Sequence, residues 1–242
     1  MKFKTSITNV SADGGEVVRG EELSELIRGK SFTETIFLVL LGKLPSENEK
    51  KMFDAIFTAE IDHGPAVASA MNARVSVSAG NSVHTALASG ILALGDRHGL
   101  ATEASMKFLY DNIGISDLSG FLSSMKSEKK YVAGIGHKIF TDRDPRATAL
   151  FAVAKETGIF GKYCEFMLLV CKKINSASSR LLPINVDGAV AAILCDMGID
   201  TRLGKGIFII GRVPGLIAHI HEEMVNDVGI RRMDQENVEY KA

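Results

Sequence analysis

The chain has 242 residues, a length typical of one globular domain. Hydrophobic residues make up 46% of the sequence and charged residues 24%, a balance that excludes a largely disordered chain, a collagen-like fibre and a disulfide-stabilised miniprotein. Twenty-eight basic and 29 acidic side chains leave a net charge of −1, so we expect no overall attraction to nucleic acid or to an anionic membrane.

The hydrophobic pattern predicts helices along nearly the whole chain. Capping-box signatures at 31–34 and 46–49 open two helices, the first ending at Gly42 and the second near Glu60. Further helices are expected at 23–27, 85–94, 147–155, 163–173, 189–197 and 206–224. An alternating pattern that would suit a strand occurs only at 74–78. The sequence therefore predicts a mainly α fold.

Serine, glycine and lysine cluster at 116–130, between apolar segments, which is typical of a boundary within a domain. We therefore expect one domain over 1–242. Its large lobe comprises about 1–115 and 185–242, and its small lobe about 116–184.

The cysteines and the N-terminus indicate a cytoplasmic protein. The three cysteines are Cys164, Cys171 and Cys195. They form no CxxC pair and no zinc-ligand spacing, so we expect reduced thiols and no metal site. The first residues hold no apolar stretch long enough for a signal peptide, and the apolar run at 207–220 is interrupted by Arg212. We expect a soluble protein.

Histidine stands next to glycine at the ends of two predicted helices. The sequence DHGPA occupies 62–66 and includes His63, and GDRHG occupies 95–99 and includes His98. Glycine ends a helix and exposes the imidazole before it, which suits a ligand site. Each histidine could equally be a capping or surface residue.

A third motif, GIGHK at 134–138, is followed by DPR at 144–146. Its glycines let backbone amides approach a ligand closely, and Pro145 fixes the start of the next helix. His137 and Arg146 could then together bind a carboxylate that lies beside a carbonyl group. The alternative is a glycine turn followed by a helix-capping Asp-Pro.

A fourth motif, NVDG at 185–188, places a carboxylate at the start of an apolar helix. Asp187 is either a capping residue or a general base made more basic by partial desolvation. Further on, Arg212 lies inside an apolar helix and should pair with an anion. The other histidines are expected on the surface or in packing roles: His84, His219 and His221.

In this fixed order, the four motifs resemble the citrate synthase family over residues 5–232, and within it most closely the citryl-CoA lyase portion of ATP-citrate lyase. The resemblance implies a citrate synthase-like helical fold with a large and a small lobe. It also implies three catalytic residues. The residue matching His98 binds the thioester oxygen of acetyl-CoA, that matching Asp187 moves a methyl proton, and that matching His137 donates to the oxaloacetate carbonyl.

The resemblance also implies the residues that bind the substrates. The carboxylates of oxaloacetate or citrate are held by residues matching His63, Arg146 and Arg212, and by Arg232, or its neighbour Arg231, reaching in from a partner subunit. The CoA part lies on a loop represented here by Val132, Gly134, Ile135, Gly136 and Lys138. The CoA thioester is then a substrate, and no tightly bound cofactor is expected.

The leading expectation is a citryl-CoA lyase that works as a homodimer or a larger homo-oligomer, with a separate citryl-CoA synthetase supplying its substrate. The short N-terminal region favours a lyase, whereas His98, where ATP-citrate lyase has phenylalanine, is more typical of a synthase. The alternatives are a short-form citrate synthase or a related enzyme for another acyl-CoA such as propionyl-CoA, a metal-dependent phosphohydrolase using Asp62 and His63, and a non-catalytic CoA- or citrate-binding module.

Overall fold

The computed structural model describes residues 4–12 and 14–241, and this part of the chain forms eleven α-helices and a small antiparallel sheet. The helices are α1 (Leu23–Gly29), α2 (Phe32–Leu41), α3 (Glu47–Glu60), α4 (Ala68–Ser78), α5 (Val83–Leu92), α6 (Ala101–Asn112), α7 (Leu118–Ser127), α8 (Pro145–Glu156), α9 (Lys162–Ser176), α10 (Val186–Asp196) and α11 (Gly204–Asn226). Short 3-10 helices cover Thr201–Leu203 and Gln235–Asn237. The prediction of a mainly α fold is confirmed.

Local capping chemistry starts several helices where the sequence predicts. Ser31 accepts a hydrogen bond from the backbone of Glu34, whose side chain accepts one from the backbone of Ser31. The same reciprocal pair forms between Ser46 and Glu49 at the start of α3. Each box satisfies two N–H groups that the first helical turn leaves without partners.

The strand predicted at 74–78 is wrong, because this segment ends α4. Ala73 and Val77 are both buried, and a spacing of four places them on one helix face. Strands occur instead near the N-terminus, where β1 (Thr8–Val10), β2 (Glu16–Val18) and β3 (Glu21–Glu22) pair in that order, antiparallel. At two or three residues each, they are too short to leave an alternating pattern.

The largely apolar helix α10 lies at the centre of the main core. Its residues from Gly188 to Cys195 are all buried, and it packs against α6, α8 and α9. A second core joins α4, α5 and α11. The helices α8 and α9, which belong to the predicted small lobe, share the main core with α6 and α10. The division into two lobes stays a prediction.

One segment, Thr201–Asn226, is long and apolar enough to cross a membrane by length and composition alone. Its most apolar stretch is 44% buried inside the protein. The helix packs against α3, α4, α5 and α6, and it carries two buried charged residues, Arg212 and Glu223. These contacts identify it as a core helix.

Two glycines on one face of α11 admit the chain that leaves α3. A Cβ atom at Gly211 would lie 3.1 Å from the Cβ of Glu60, and one at Gly215 would overlap the carbonyl oxygen of Ile61. Because residues four apart share a helix face, the two glycines form a groove for this segment. The groove fixes the position of His63, which follows directly.

We expect Gly215→Ala to lower the free energy of unfolding by about 3 kcal/mol, because the added methyl group meets backbone rather than a movable side chain. Gly206→Ala on the same helix is the matched control, since nothing lies within 4 Å of a Cβ there. That variant should be unchanged, or more stable by up to about 1 kcal/mol. Urea unfolding of both variants measures the difference in their free energies of unfolding. Equal stabilities would contradict the close contact between Gly215 and the backbone of Ile61.

Candidate active site

The four motifs meet where α8 and α10 begin. Six of the predicted residues come together there through hydrogen bonds or charge interactions: His63, His98, His137, Arg146, Asp187 and Arg212. They come from the end of α3, two loops, the first turns of α8 and α10, and the middle of α11. The site therefore depends on how these separate elements are fixed to one another.

A buried carboxylate, Asp144, positions Arg146. It accepts hydrogen bonds from the Arg146 backbone N–H at 3.0 Å, from Nε at 3.1 Å and from Nη2 at 2.8 Å. Its Oδ2 atom also accepts the N–H of Val186 at 3.1 Å, which ties the start of α8 to the start of α10. Asp144 caps α8 as the sequence predicts, and it also orients the arginine.

The imidazole of His137 is held so that one nitrogen carries the proton. Its Nδ1 atom accepts the backbone N–H groups of Ile139 and Phe140, each at 3.1 Å. In a neutral ring the proton must then be on Nε2. Burial, followed by the charge of Arg146, lowers the pKa of His137 and favours this neutral form.

The Nε2 atom of His137 lies 3.3 Å from Nη2 of Arg146. Both atoms carry hydrogen, so this contact places two donors against each other. His63 lies on the other side of the guanidinium, with its Nδ1 atom 3.3 Å from Nη1. Burial and the charge of Arg146 lower the pKa of His63 as well. An oxygen acceptor placed among these groups would satisfy both facing donors.

His98 has the opposite tautomer. Its Nε2 atom accepts the backbone N–H of Ser69 at 3.2 Å and lies 2.9 Å from the hydroxyl of the same residue. The proton of the neutral ring is therefore on Nδ1. Burial, and then the charge of Arg212, lower the pKa of His98. Here too the site presents a neutral N–H donor in a fixed direction.

Asp187 is the second residue of α10, after the capping residue Asn185 and Val186. Its Oδ1 atom accepts a hydrogen bond from the hydroxyl of Thr102 at 3.3 Å. Burial raises the pKa of Asp187, although the hydroxyl and the nearby Arg146 act in the opposite direction. A carboxyl group with a raised pKa holds its proton more firmly than an exposed aspartate, and its carboxylate is a stronger base.

Arg212 is 3% exposed, and its Nε atom donates to the backbone carbonyl of Glu60 at 2.7 Å. Its guanidinium also lies over the ring of Phe208, 4.9 Å from the centroid. Among the described residues, the guanidinium has no hydrogen bond to a carboxylate. The described chain therefore does not supply the anionic partner that was predicted for Arg212. Its positive charge acts on the site, where it interacts with Asp187.

The loop at 132–138 is fixed to the start of α10 by its backbone. The Gly136 N–H donates to Pro183, and the side chain of Asn185 donates to the carbonyl of Gly136. A Cβ atom on either Gly134 or Gly188 would overlap the backbone of the other. Several backbone groups predicted to face CoA are thus already bonded, and they set the distance between the loop and Asp187.

A cavity of about 460 Å³ lies beside this loop, with walls from α7, α9 and the loop itself. Apolar side chains, including Val132 and Ile135, form much of the lining, and lysines stand in it at Lys126, Lys130 and Lys173. A larger, more open depression of about 660 Å³ contains none of the predicted site residues. The smaller cavity is the one that adjoins the site.

The remaining predictions concern residues outside this cluster. Arg232 is exposed in the tail after α11, whereas Arg231 donates to the buried carboxylate of Glu223 at 2.6 Å. His219 bonds Asp62 at 3.0 Å and so has a packing role, while His84 and His221 are exposed. Within the described parts of the chain, no group of three potential metal ligands occurs.

Sequence reasoning missed the residues that orient the site. Ser69 and Thr102 are distant in the chain from the groups they bond, so no local pattern could reveal them. Asp144 was expected only as a cap. Its spacing from Arg146 was a usable signal, because the exposed pair Asp200 and Arg202 forms the same local ion pair.

We expect Asp144→Asn to lower the free energy of unfolding by about 3 kcal/mol at pH 7, because it leaves Arg146 without its buried partner. Burial alone would raise the pKa of Asp144, but its bonds to Arg146 lower it overall. The carboxylate therefore stabilises the fold above about pH 4, and this contribution is lost as pH falls through the folded-state value.

Unfolding measured from pH 2 to 8 should show the difference between variant and parent shrinking in acid. Asp200→Asn is the matched control, because Asp200 and Arg202 form the same local pair on the surface. It should change stability little at any pH. A deficit of Asp144→Asn that stays constant with pH would contradict the role of the carboxylate charge.

Comparison with known proteins identifies the family of this chain. The "Probable ATP-citrate synthase" of Dictyostelium discoideum is 31% identical, and this chain spans 41% of that relative's length while 97% of the chain is aligned. Citryl-CoA lyase from Hydrogenobacter thermophilus is 40% identical with a TM-score of 0.92, covering 99% of this chain and 94% of that one. ATP citrate lyase from Methanosaeta concilii, solved as a mutant in complex with (3S)-citryl-CoA, is 26% identical with a TM-score of 0.88. That match covers 100% of this chain and 42% of the lyase chain. A family model described as "Citrate synthase, C-terminal domain" matches residues 45–233. The chain belongs to the citrate synthase family.

Proposed function

We propose that this chain is a citryl-CoA lyase, which cleaves citryl-CoA reversibly to acetyl-CoA and oxaloacetate. The proposal depends on one observation: a half-buried carboxyl group with a raised pKa, Asp187, shares a site with two neutral imidazoles whose N–H donors have fixed directions, His98 and His137. The similarity to a citryl-CoA lyase over nearly the full chain supports it. The (3S)-citryl-CoA bound to the ATP citrate lyase supports a CoA thioester as the substrate.

The carboxylates of the substrate bind at the positive end of the site. Arg146 and Arg212 supply two positive charges there, and His63 supplies a further hydrogen-bonding group. An oxygen between Arg146 and His137 accepts from both donors and so relieves their contact in the unliganded chain. Charge-assisted bonds of this kind give the anion both affinity and orientation.

Cleavage breaks the bond between the hydroxyl-bearing carbon and the methylene carbon next to the thioester. The hydroxyl oxygen becomes the oxaloacetate carbonyl and faces Nε2–H of His137, while the new enolate oxygen faces Nδ1–H of His98. Asp187 delivers a proton to the methylene carbon, which gives the methyl group of acetyl-CoA. The hydroxyl proton passes to solvent as the bond breaks, and Asp187 then regains a proton from solvent, so the proton movements cancel and no water is consumed. In the reverse direction Asp187 acts as the base.

The nucleotide part of CoA occupies the cavity beside the 132–138 loop. Its size suits an adenine ring and its apolar walls suit the flat face of that ring. The lysines in its lining supply positive charge for the phosphates: Lys126, Lys130 and Lys173. Lys138 lies toward the reaction centre, since its charge contributes to the lowered pKa of His98. The proposal includes no tightly bound cofactor and no metal.

The source of the substrate and the cellular location of the protein are proposed from the sequence. The absence of a glycine-rich nucleotide loop in the sequence motivates a separate citryl-CoA synthetase as the source of the substrate. The cysteine pattern and the near-neutral charge motivate a cytoplasmic location without a nucleic-acid or membrane partner.

Purified protein incubated with synthetic citryl-CoA should yield acetyl-CoA and oxaloacetate. We expect Asp187→Asn to lower kcat by about a thousandfold, because it removes the carboxyl group that delivers the proton, and to leave the fold intact. Chromatography of the CoA thioesters and a coupled assay for oxaloacetate measure both products.

Asp111→Asn, an exposed change on α6, is the control and should keep the parental kcat. Free CoA with citrate would instead identify a citrate synthase. If the parent transforms neither citryl-CoA nor a mixture of acetyl-CoA and oxaloacetate, the chain is not an enzyme of this class.

We also propose a homodimer, or a larger assembly of dimers, in which each tail completes the neighbouring site. Arg231 is held by Glu223 and by Ser78 of its own chain, so the adjacent, exposed Arg232 is the arginine that we assign to the neighbouring site. The exposed apolar residues near the end of α11, Met224 and Val225, suit a symmetric contact.

A mixture of Arg232→Ala and Asp187→Asn proteins should recover activity after subunit exchange. Each mixed dimer then contains one site with both changes and one site with neither, so activity should rise to about a quarter of the parental value if subunits assort at random. A heterodimer shown by mass spectrometry that stays as inactive as its parents would place Arg232 in the site of its own subunit.

A further inference from the structure

Glu60, the last residue of α3, is an acidic side chain that the proposed chemistry does not use. It is 0% exposed, and neither of its carboxyl oxygens has a hydrogen-bond partner in the described structure. A buried carboxylate without donors is costly, because it loses its hydration and gains nothing in return. Such a residue at the wall of a site calls for a functional explanation.

Charged groups face Glu60 from three helices. Arg212 of α11 and Arg146 of α8 are the cations, and Asp187 of α10 is the anion. The Nε atom of Arg212 bonds the backbone carbonyl of Glu60 and not its carboxyl group. A Cβ atom at Gly211 would lie 3.2 Å from Oε2, so the side chain is wedged against α11.

These contacts favour the protonated side chain. Burial raises the pKa of Glu60 well above its usual value, and the charge of Asp187 raises it further, while the two arginines act in the opposite direction. No donor is positioned to stabilise the ionised carboxylate. The neutral acid is the form that this packing accommodates.

We propose that Glu60 is a positioning residue whose neutral form leaves the charge of Arg212 free for a substrate carboxylate, and whose ionisation sets the alkaline limit of substrate binding. An ionised Glu60 would attract the guanidinium of Arg212 and so compete with the substrate carboxylate for it. It would also disfavour ionisation of Asp187, because two carboxylates would then share one dry region. The inference rests on the proposed lyase function.

The test compares Glu60→Gln with the parent protein in citryl-CoA cleavage from pH 6 to 9.5. Glutamine keeps the shape of the neutral acid but cannot ionise. The KM of the parent should rise above the pKa of Glu60, by about tenfold per pH unit, and this rise should be absent in the variant. Glu47→Gln, an exposed change at the start of α3, should follow the parent.

Coincident pH profiles for Glu60→Gln and the parent would overturn the proposal. A KM at pH 7 that is raised about tenfold or more in the variant would overturn it too, because it would show that an ionised Glu60 is needed. If the parent cleaves citryl-CoA and its pH profile coincides with that of Glu60→Gln, only the role of Glu60 is rejected. A parent that does not cleave citryl-CoA rejects the lyase function itself.

Stability gives a readout that needs no activity. Since the folded-state pKa of Glu60 is raised, its contribution to stability is full below about pH 4.5 and is lost as pH rises toward the folded-state value. The Glu60→Gln variant does not lose stability in this way. The difference between its Tm and that of the parent should therefore increase, in favour of the variant, as pH rises from 5 to 9. A Tm difference that does not change with pH would show that Glu60 is not held neutral.

Discussion

The site depends on backbone N–H groups that decide which nitrogen of each imidazole carries the proton. Ser69 donates to Nε2 of His98, and Ile139 and Phe140 donate to Nδ1 of His137, so the two rings present opposite nitrogens as donors. Backbone donors cannot rotate away, and burial keeps both rings neutral. Removing one donor of this kind from a site where charge develops typically costs about 3 to 4 kcal/mol of barrier. Fixed, neutral donors are therefore the main contribution of this site to the proposed enolate reaction.

The same constraint explains why the elements around the site are tied so closely. Asp144 joins the start of α8 to the start of α10, and the contact of Gly134 with Gly188 presses the histidine loop onto the helix that carries Asp187. Gly215 does the same for the segment before His63. Positions must be this exact because a misplacement of about 1 Å can cost a hundredfold in rate. Glycine is used where two backbones touch, since any side chain would separate them.

The sequence was informative where one short segment determines the outcome. The capping boxes and the DPR helix start are local, so their residues appear where they are expected. The four motifs in fixed order pointed to six residues that the structure brings together. Segment 74–78 was misread because its alternation is local while the burial of Ala73 and Val77 is set by other helices. Ser69 and Glu60 gave no signal, because each acts on a residue far away in the chain. Residues that belong to a short motif are thus easier to predict than the distant residues that orient them.

The most direct test of this account is nitrogen NMR of protein labelled with ¹⁵N-histidine, with assignments from His98→Ala and His137→Ala. Both rings should be neutral at pH 7, with the proton on Nδ1 of His98 and on Nε2 of His137. Both signals should keep these tautomers down to a pH below the usual histidine value of about 6.5, because burial lowers both pKa values. A charged ring at pH 7, or the opposite tautomer at either position, would contradict it.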